Sequence, residues 1–300
     1  MGNKMEYTLF IGCNIPARVP QYEQSAKAVL DRLGVRTYEL ARFNCCGYPQ
    51  RNADFKTYLT FAARNLALAE QQERPLMTLC QCCFGSLKQA AHLLADEEAL
   101  RAEINQTLAK EGLSVSRALE VTHISKVLHQ QVGTAAIKKA LKVGFEGLNI
   151  AVHYGCHALR PSIIMQFDDP NTPVVLDDLV KATGARSVDW ALKLECCGAP
   201  LTGINDPLAG DLTANKLEDG RKAGAHFLCV ACPWCHLQFD TVQKTMTDEG
   251  RLEQTLGSIL YPQLLGLALG IGPEQLGMDN NVIPIDSIGG FLEKPKEDAA

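Results

Sequence analysis

The sequence predicts an α/β protein made of two similar halves, each with its own parallel sheet. Two observations lead to this prediction. Short apolar runs alternate with helical patterns along the chain, and the 12 cysteines among the 300 residues fall into the same order twice. The first half holds Cys13, Cys45, Cys46, Cys80, Cys82 and Cys83, and the second holds Cys156, Cys196, Cys197, Cys229, Cys232 and Cys235.

The spacing of the cysteines indicates an internal repeat. The string C-C-G-x-P occurs at 45–49 and again at 196–200, and a C-x-x-C motif follows each, at 80–83 and 232–235. Corresponding cysteines are separated by 143, 151 and 152 positions, for the pairs Cys13 and Cys156, Cys45 and Cys196, and Cys80 and Cys232. The second half therefore copies the first with one insertion.

Each element follows from the residues that form it. Buried strands are predicted where a short run is mostly apolar, and helices where apolar residues recur on one face. Gly34 ends the first helix, and Pro75 breaks the second before the next strand. In the first half the expected order is strand 7–11, helix 22–33, strand 35–41, helix 54–72 and strand 76–79.

The second half repeats this order. Strands are predicted at 148–154, 187–190 and 226–230, helices near 173–183 and 207–223, and a further helical periodicity over 252–269. A segment with three lysines and two glycines, 135–147, is expected to link the halves. The sequence thus predicts two pseudo-symmetric Rossmann-like domains with parallel sheets, 1–140 and 141–300. Each carries one C-C-G motif, and the second has a C-terminal helical extension.

Composition limits the partners and the compartment. Lys and Arg number 29 against 34 Asp and Glu, a net charge of -5, so the chain lacks the basic surplus expected of a nucleic-acid-binding protein. The apolar stretch 264–271 is too short to span a bilayer, and no secretory signal is visible. We expect a cytoplasmic protein, in which clustered thiols bind metal or do redox chemistry more often than they form disulfides.

The cysteine pattern favours a multinuclear metal cluster. Each cysteine group falls at or just past the carboxyl end of a predicted strand, where open α/β sheets gather their ligands. Each half offers five thiols, whereas a zinc site and a cubane iron–sulfur cluster each use four. Adjacent cysteines such as Cys45 and Cys46 strain to chelate one metal, but they could bind different irons of one cluster.

These motifs resemble those of the B subunit of heterodisulfide reductase, whose cysteine-rich domains carry a single Cys, a Cys-Cys-Gly and a Cys-x-x-Cys, twice. Here 31 and 33 residues separate the three parts in the first half, and 39 and 34 in the second. The segments 153–157 (HYGCH) and 232–236 (CPWCH) also match. The resemblance covers nearly the whole chain.

The resemblance implies two noncubane [4Fe-4S] clusters near the interface of the two domains. Cys82 and Cys229 are left over and are interpreted as small buried apolar residues, with a redox or substrate-contacting role as the alternative. Because Cys82 adds a third thiol to the first C-x-x-C motif, zinc at one site remains an alternative. The implied ligands are Cys13, Cys45, Cys46, Cys80 and Cys83 for one cluster, and Cys156, Cys196, Cys197, Cys232 and Cys235 for the other.

Three histidines lie close to these cysteines in sequence. His153, His157 and His236 could hydrogen-bond to the ligand sulfurs or move protons during thiol formation. The alternative is that they are ordinary loop residues or backbone caps. Catalytic residues other than the cluster ligands are not predicted.

The resemblance also implies the reaction and the partners. The family cleaves or forms disulfides at its clusters, and some relatives act in sulfur oxidation on carrier-bound substrates. We expect partners similar to the other proteins of that complex, an iron–sulfur protein of the C type and a flavin protein of the A type. The chain needs them because segment 270–275 lacks the third glycine of a dinucleotide fingerprint.

Three other functions stay open. One is an electron-transfer role in a succinate, fumarate or 2-hydroxy-acid oxidoreductase with the same cysteine-rich domains. Another is a structural zinc protein. The third is a dithiol oxidoreductase that uses Cys80 and Cys83 alone, although the other cysteines would then have no role.

Overall fold

The computed structural model describes residues 5–116 and 119–293. Its strands form two four-stranded sheets, and neighbouring strands in both are parallel. The strands are β1 (Glu6–Phe10), β2 (Arg36–Glu39), β3 (Leu76–Thr78), β4 (Val121–His123), β5 (Asn149–His153), β6 (Arg186–Val188), β7 (Phe227–Val230) and β8 (Ser258–Leu260). The first sheet has the order β2-β1-β3-β4 and the second the order β6-β5-β7-β8. The predicted α/β class with two matching parallel sheets is therefore confirmed.

Helices form the connections between the strands. In the first half they are α1 (Asn14–Arg18), α2 (Pro20–Arg32), α3 (Phe55–Glu70), α4 (Gln81–Asp96), α5 (Glu98–Leu108), α6 (Ile124–Lys126) and α7 (Thr134–Ala140). In the second half they are α8 (Cys156–Leu159), α9 (Ser162–Met165), α10 (Val175–Ala182), α11 (Asp206–Lys222), α12 (Pro233–Leu237), α13 (Gln243–Asp248) and α14 (Tyr261–Ala268). Within the described ranges, no helix combines the length and apolar character needed to cross a bilayer.

The helical pattern predicted over 252–269 is only partly present. β8 occupies Ser258–Leu260 and pairs with β7, and α14 begins only at Tyr261. The three strand residues fit a helical period as well as a strand period, so sheet pairing decides their conformation. Pro262, in the first turn of α14, suits a helix start because proline has no N–H to donate.

Helix starts in the two halves use equivalent caps. The carboxylate of Asp54 accepts a hydrogen bond from the backbone N–H of Thr57 at the start of α3, at 3.0 Å. The side-chain oxygen of Asn205 accepts one from Leu208 at the start of α11, at 3.2 Å. Because caps of this kind fix where a helix begins, α3 and α11 start in the same register after their C-C-G motifs.

The two halves share one buried core. Helix α2 of the first half packs against α14 of the second, and α10 of the second packs against α6 and α7 of the first. The Arg32 guanidinium donates to the Leu269 carbonyl at 2.9 Å across this contact. The predicted linker 135–147 holds most of α7 and a loop that leads to β5. The division into domains 1–140 and 141–300 stays a prediction.

Candidate functional site

The first thiol group lies past the carboxyl ends of β1, β2 and β3. We use this name for Cys13, Cys45, Cys46, Cys80 and Cys83. The Cys13 and Cys45 sulfurs are 3.6 Å apart. Interactions between thiols that shift their pKa values link Cys45 to Cys46, Cys46 to Cys83 and Cys83 to Cys80. The structure therefore brings together the five cysteines that the family resemblance implies as ligands of one cluster.

The second thiol group has the equivalent place past β5, β6 and β7. It consists of Cys156, Cys196, Cys197, Cys232 and Cys235. Interactions between thiols that shift their pKa values link Cys196 to Cys197, Cys197 to Cys235 and Cys235 to Cys232. Cys156 interacts electrostatically with Cys197 and Cys232. These five cysteines also come together.

The glycine of each C-C-G motif is required by the turn that presents the cysteine pair. Gly47 has φ +84° and Gly198 has φ +94°, in the left-handed region. A Cβ at Gly47 would lie 2.7 Å from the Tyr58 carbonyl oxygen, and one at Gly198 would lie 2.4 Å from that of Ala209. Only glycine therefore lets the cysteine pair approach helix α3 or α11 so closely.

Hydrogen bonds between the sulfurs separate their ionisation. Cys13 and Cys46 donate to Cys45, which lowers the pKa of Cys45 to about 3. The same bonds raise the pKa of Cys13 and of Cys46. In the second group, hydrogen bonds from Cys196 and Cys235 lower the pKa of Cys197 well below its usual range. The chain alone thus ionises some of the sulfurs and keeps others protonated.

This donor set fits a multinuclear iron–sulfur centre better than a single zinc ion. Zinc would use four of the five sulfurs in a group and leave one without a role. Ionising all five would crowd negative charge into a largely buried space, and that requires a core carrying several positive metal ions. The five adjoining sulfurs of each group can serve as the ligands of such a core.

Cys82 joins the two groups, whereas Cys229 lies apart from them. The sulfurs of Cys80, Cys82 and Cys232 all lie within 4.8 Å of one another. Cys82 therefore lies where Cys80 of the first half approaches Cys232 of the second. Cys229 is a buried residue of β7, and burial raises the pKa of its thiol. Its surroundings are those expected of a packing residue.

Two of the three histidines contact the thiols. His153 Nε2 lies 3.3 Å from the Cys235 sulfur. His157 Nδ1 lies 3.5 Å from the Cys82 sulfur. Burial lowers the pKa of both rings, so both are neutral near pH 7. His236 instead places Nδ1 3.0 Å from the hydroxyl oxygen of Ser258, and burial lowers its pKa to about 3.

A cavity of about 330 Å³ opens onto the second thiol group and Cys82. It is large enough for a small organic molecule. Gln81 on its wall is 1% exposed, and its side-chain Nε2 has no hydrogen-bond partner among the described residues. The other walls include Tyr48, Arg51, Asn52, Cys82, Cys156, His157, Thr202, Cys232, Trp234 and Cys235.

One cationic side chain, Arg51, lines the cavity. No carboxylate of the described residues lies within 4.0 Å of its guanidinium. Burial raises the pKa of Tyr48 and of Tyr58, and the Arg51 charge partly opposes this rise. Trp234 lines both this cavity and a smaller one of about 20 Å³ beside the first thiol group. Arg51 therefore offers a guanidinium to an anionic group of a ligand.

Both halves match the family model for the cysteine-rich domain CCG, at residues 7–88 and 150–240. The chain is also 36% identical to the B subunit of the ferredoxin:CoB-CoM heterodisulfide reductase of Methanosarcina mazei, over 92% of this chain and 93% of that protein. The chain belongs to the heterodisulfide reductase B-subunit family. The resemblance stated from the motifs is confirmed.

Other members of the heterodisulfide reductase B-subunit family and related proteins are similar over most of their length. A heterodisulfide reductase B-subunit-like protein of Archaeoglobus profundus is 31% identical, over 91% of this chain and 93% of that protein. The 8-methylmenaquinol:fumarate reductase membrane anchor subunit of Wolinella succinogenes is 33% identical, over 95% of this chain and 99% of that protein. The family and the thiol groups together support iron–sulfur binding in one component of an oxidoreductase complex.

A solved structure of a hypothetical protein from Helicobacter pylori has the same fold as this member of the heterodisulfide reductase B-subunit family. Its TM-score is 0.76 at 18% identity, with 95% of this chain covered. The chain spans about half of that protein, 53% of its length. At this identity the likeness shows the fold alone.

Sequence analysis missed three residues of the site. Gln81 lies inside the first C-x-x-C motif, and Arg51 follows the first C-C-G motif by four positions. Lys216 is a buried lysine in α11, on a helix whose residue pattern gives no sign of a buried charge. Aligning the two halves places Lys216 opposite Asn65, but this difference does not show that Lys216 is buried.

Proposed function

We propose that this chain is the iron–sulfur protein at which a heterodisulfide reductase-like complex cleaves or forms a disulfide. One observation carries the proposal: the second thiol group and Cys82 form part of the wall of a 330 Å³ cavity. A purely structural metal site is closed to ligands, whereas a site that acts on a substrate keeps access open.

Each thiol group would hold one noncubane [4Fe-4S] cluster through its five cysteines. When bound, such clusters supply single electrons and iron sites for a substrate sulfur. The contact between Cys80 of the first group and Cys232 of the second supports electron transfer between the two sites. Zinc at one of the sites is the alternative that metal analysis tests.

The residues of the cavity would bind and orient the substrate. Arg51 offers a guanidinium to an anionic group, and Gln81 offers a free amide donor. Neutral His157, beside Cys82 and Cys156, could accept or return a proton as a thiol forms. Trp234 shields the sulfurs from water. The substrate we propose is a disulfide or thiol with an anionic group, free or carrier-bound as in sulfur oxidation.

The partners we propose are an iron–sulfur protein similar to the C-type component and a flavin protein similar to the A-type component of heterodisulfide reductase. The named relatives are themselves parts of redox complexes, which supports this assignment. All twelve cysteines are free thiols, as expected in a reducing compartment, and we propose the cytoplasm.

A second candidate is electron transfer without substrate binding, as in a fumarate reductase complex. The Wolinella succinogenes relative, which matches over 99% of its length, favours it. In that case a thiol added to the oxidised protein would find no iron site to bind.

The experiment is an EPR titration of the oxidised, anaerobically purified protein with an anionic thiol such as mercaptoacetate. We expect a paramagnetic signal that appears with thiol and saturates. In the Arg51→Gln variant saturation should need about 10–100-fold more thiol, since a hydrogen bond to a charged group contributes about 1.5–3 kcal/mol. Arg42→Gln is the control, because Arg42 is exposed outside the cavity. Iron signals that never respond to thiol would favour electron transfer instead.

A further inference from the structure

The two thiol groups have the same sulfur ligands but different surroundings. The offset of 151 positions that relates Cys45 to Cys196 also relates Asn65 of α3 to Lys216 of α11. The equivalent helix caps support this register, because Asp54 and Asn205 are also 151 positions apart. The same helix position thus carries a neutral amide in the first half and an amine in the second.

Lys216 is a buried cation beside the second thiol group. Its residue is 1% exposed, and no carboxylate oxygen of the described residues lies within 4.0 Å of its amine. The amine donates to the Leu192 carbonyl and lies 4.5 Å from the centre of the Trp190 ring. One turn earlier on α11, the Thr213 hydroxyl donates to the Cys197 carbonyl at 3.0 Å, which places this helix against the second thiol group. The Lys216 charge interacts with the thiols of the group, most strongly with Cys197. Burial lowers the Lys216 pKa to about 8, which leaves it charged at neutral pH.

The first thiol group lacks such a cation at this position. The Asn65 amide donates to the Cys45 carbonyl at 3.0 Å and accepts a hydrogen bond from the Asn44 N–H at 3.0 Å. This neutral side chain therefore fixes the loop that carries Cys45. The largest influences on the pKa of Cys13 and Cys83 are hydrogen bonds with other thiols. The sulfurs of the first half therefore interact mainly with one another.

We infer that Lys216 makes the two metal centres unequal, by raising the reduction potential of the centre in the second half above that of the first. A buried positive charge stabilises the reduced, more negative state of a nearby centre, and burial weakens screening by water. The second centre also borders the larger cavity, so the better electron acceptor lies where the substrate would bind. This inference rests on the proposed function, since it requires a redox-active centre at each thiol group.

Redox titrations followed by EPR test the inference on the purified, iron-loaded protein. In Lys216→Met the midpoint potential of the second centre should fall, while that of the first centre stays unchanged. Cys45→Ser and Cys196→Ser assign each signal to its half. Lys222→Met is the matched control, because Lys222 is an exposed lysine of the same helix that pairs with Glu218. It should leave both potentials unchanged.

Three outcomes would overturn the inference. One is that Lys216→Met keeps its full complement of iron and both midpoint potentials are unchanged. Another is that the midpoint potentials of both centres shift equally. If Lys216→Met loses iron, Lys216→Gln is titrated instead, and loss of iron from both variants would make Lys216 a structural residue. The proposed function fails in a different way: the wild-type protein would then contain neither iron nor sulfide, or its EPR signal would not respond to added thiol.

Discussion

At the scale of single residues, Gln81 places an unused hydrogen-bond donor on the cavity wall. Its Nε2 is buried without a partner among the described residues. A Cβ added to Gly155 of the second half would lie 2.1 Å from the Gln81 side-chain oxygen. The Gln81 side chain therefore packs closely against the second half. A buried donor left unpaired costs about 1–3 kcal/mol, and a ligand that accepts its hydrogen bond would recover that energy.

Replacing Gln81 by leucine should therefore weaken thiol binding without destabilising the fold. We expect about a tenfold rise in the thiol concentration at half-saturation, equivalent to about 1.4 kcal/mol, with a thermal midpoint at or above that of the wild type. EPR titration and thermal unfolding measure the two quantities. Gln71→Leu, at an exposed position, is the control. Unchanged thiol binding in Gln81→Leu would mean that the donor does not face the ligand.

His123 makes folding sensitive to acid. It is fully buried on β4, and burial lowers its pKa to about 4 from an ordinary value of 6.5. Between these values the unfolded chain binds a proton that the folded protein does not. The His123 contribution to the free energy of unfolding therefore falls as the pH drops from 6.5 to 4, by about 1.4 kcal/mol per pH unit at most.

The variant His123→Asn should be less stable than the wild type at pH 7 but lose less stability on acidification. Urea unfolding of the anaerobic protein at pH 7, 6 and 5 measures this difference. His92→Asn should follow the wild-type pH dependence, because the His92 side chain is 46% exposed. Equal acid sensitivity in His123→Asn and the wild type would contradict the assignment.

At the scale of elements, the C-C-G turns determine where the cysteine pairs lie. Gly198→Ala would place a methyl group 2.4 Å from the Ala209 carbonyl oxygen, at a φ that alanine disfavours. Gly112 has a similar φ of +68° but open space around it. We therefore expect Gly112→Ala to lower the free energy of unfolding by about 1 kcal/mol and Gly198→Ala by at least about 3 kcal/mol.

Urea unfolding and iron content report on the two glycine variants. Gly198→Ala should also lose iron from the second half, because the turn carries Cys196 and Cys197 towards their partners. Gly112→Ala should retain all of its iron. Equal stability losses in the two variants would show that the close approach to α11 is not what selects glycine.

The elements that sequence analysis predicted are those with a strong local signal. Strand β1 is mostly apolar, and α10 has an apolar face along its length. Strand β4 (VTH) has no apolar run, and β8 (SIL) lies inside a helical pattern, so only sheet pairing defines them. Helix α4 was missed, because its N-cap, Cys80, and Cys83 in its first turn were interpreted as metal ligands.

The candidate site divides in the same way. Its cysteines could be predicted because their spacing repeats along the chain. Lys216 and Gln81 could not, since only the tertiary packing shows that one is buried beside thiols and the other lines a cavity. His236 shows the limit of proximity in sequence: it follows Cys235 directly, yet its ring lies against Ser258 and Gln21.

At the scale of the whole molecule, duplication builds a site from two sheet edges. Helix α2 of the first half packs against α14 of the second, and α7 of the first packs against α10 of the second. The carboxyl ends of both sheets supply cysteines to the same region. Neither half alone would complete the contact of Cys80 and Cys82 with Cys232, or enclose the cavity. The repeated fold thus places the two thiol groups side by side.

The central claim is that the ten repeated cysteines hold two iron–sulfur clusters. The most direct test is to purify the protein without oxygen and to count iron, acid-labile sulfide and zinc per chain. Two four-iron clusters predict about eight iron and about eight sulfide per chain, falling by about half in Cys45→Ser and in Cys196→Ser. Zinc without sulfide would contradict the claim and leave a structural protein.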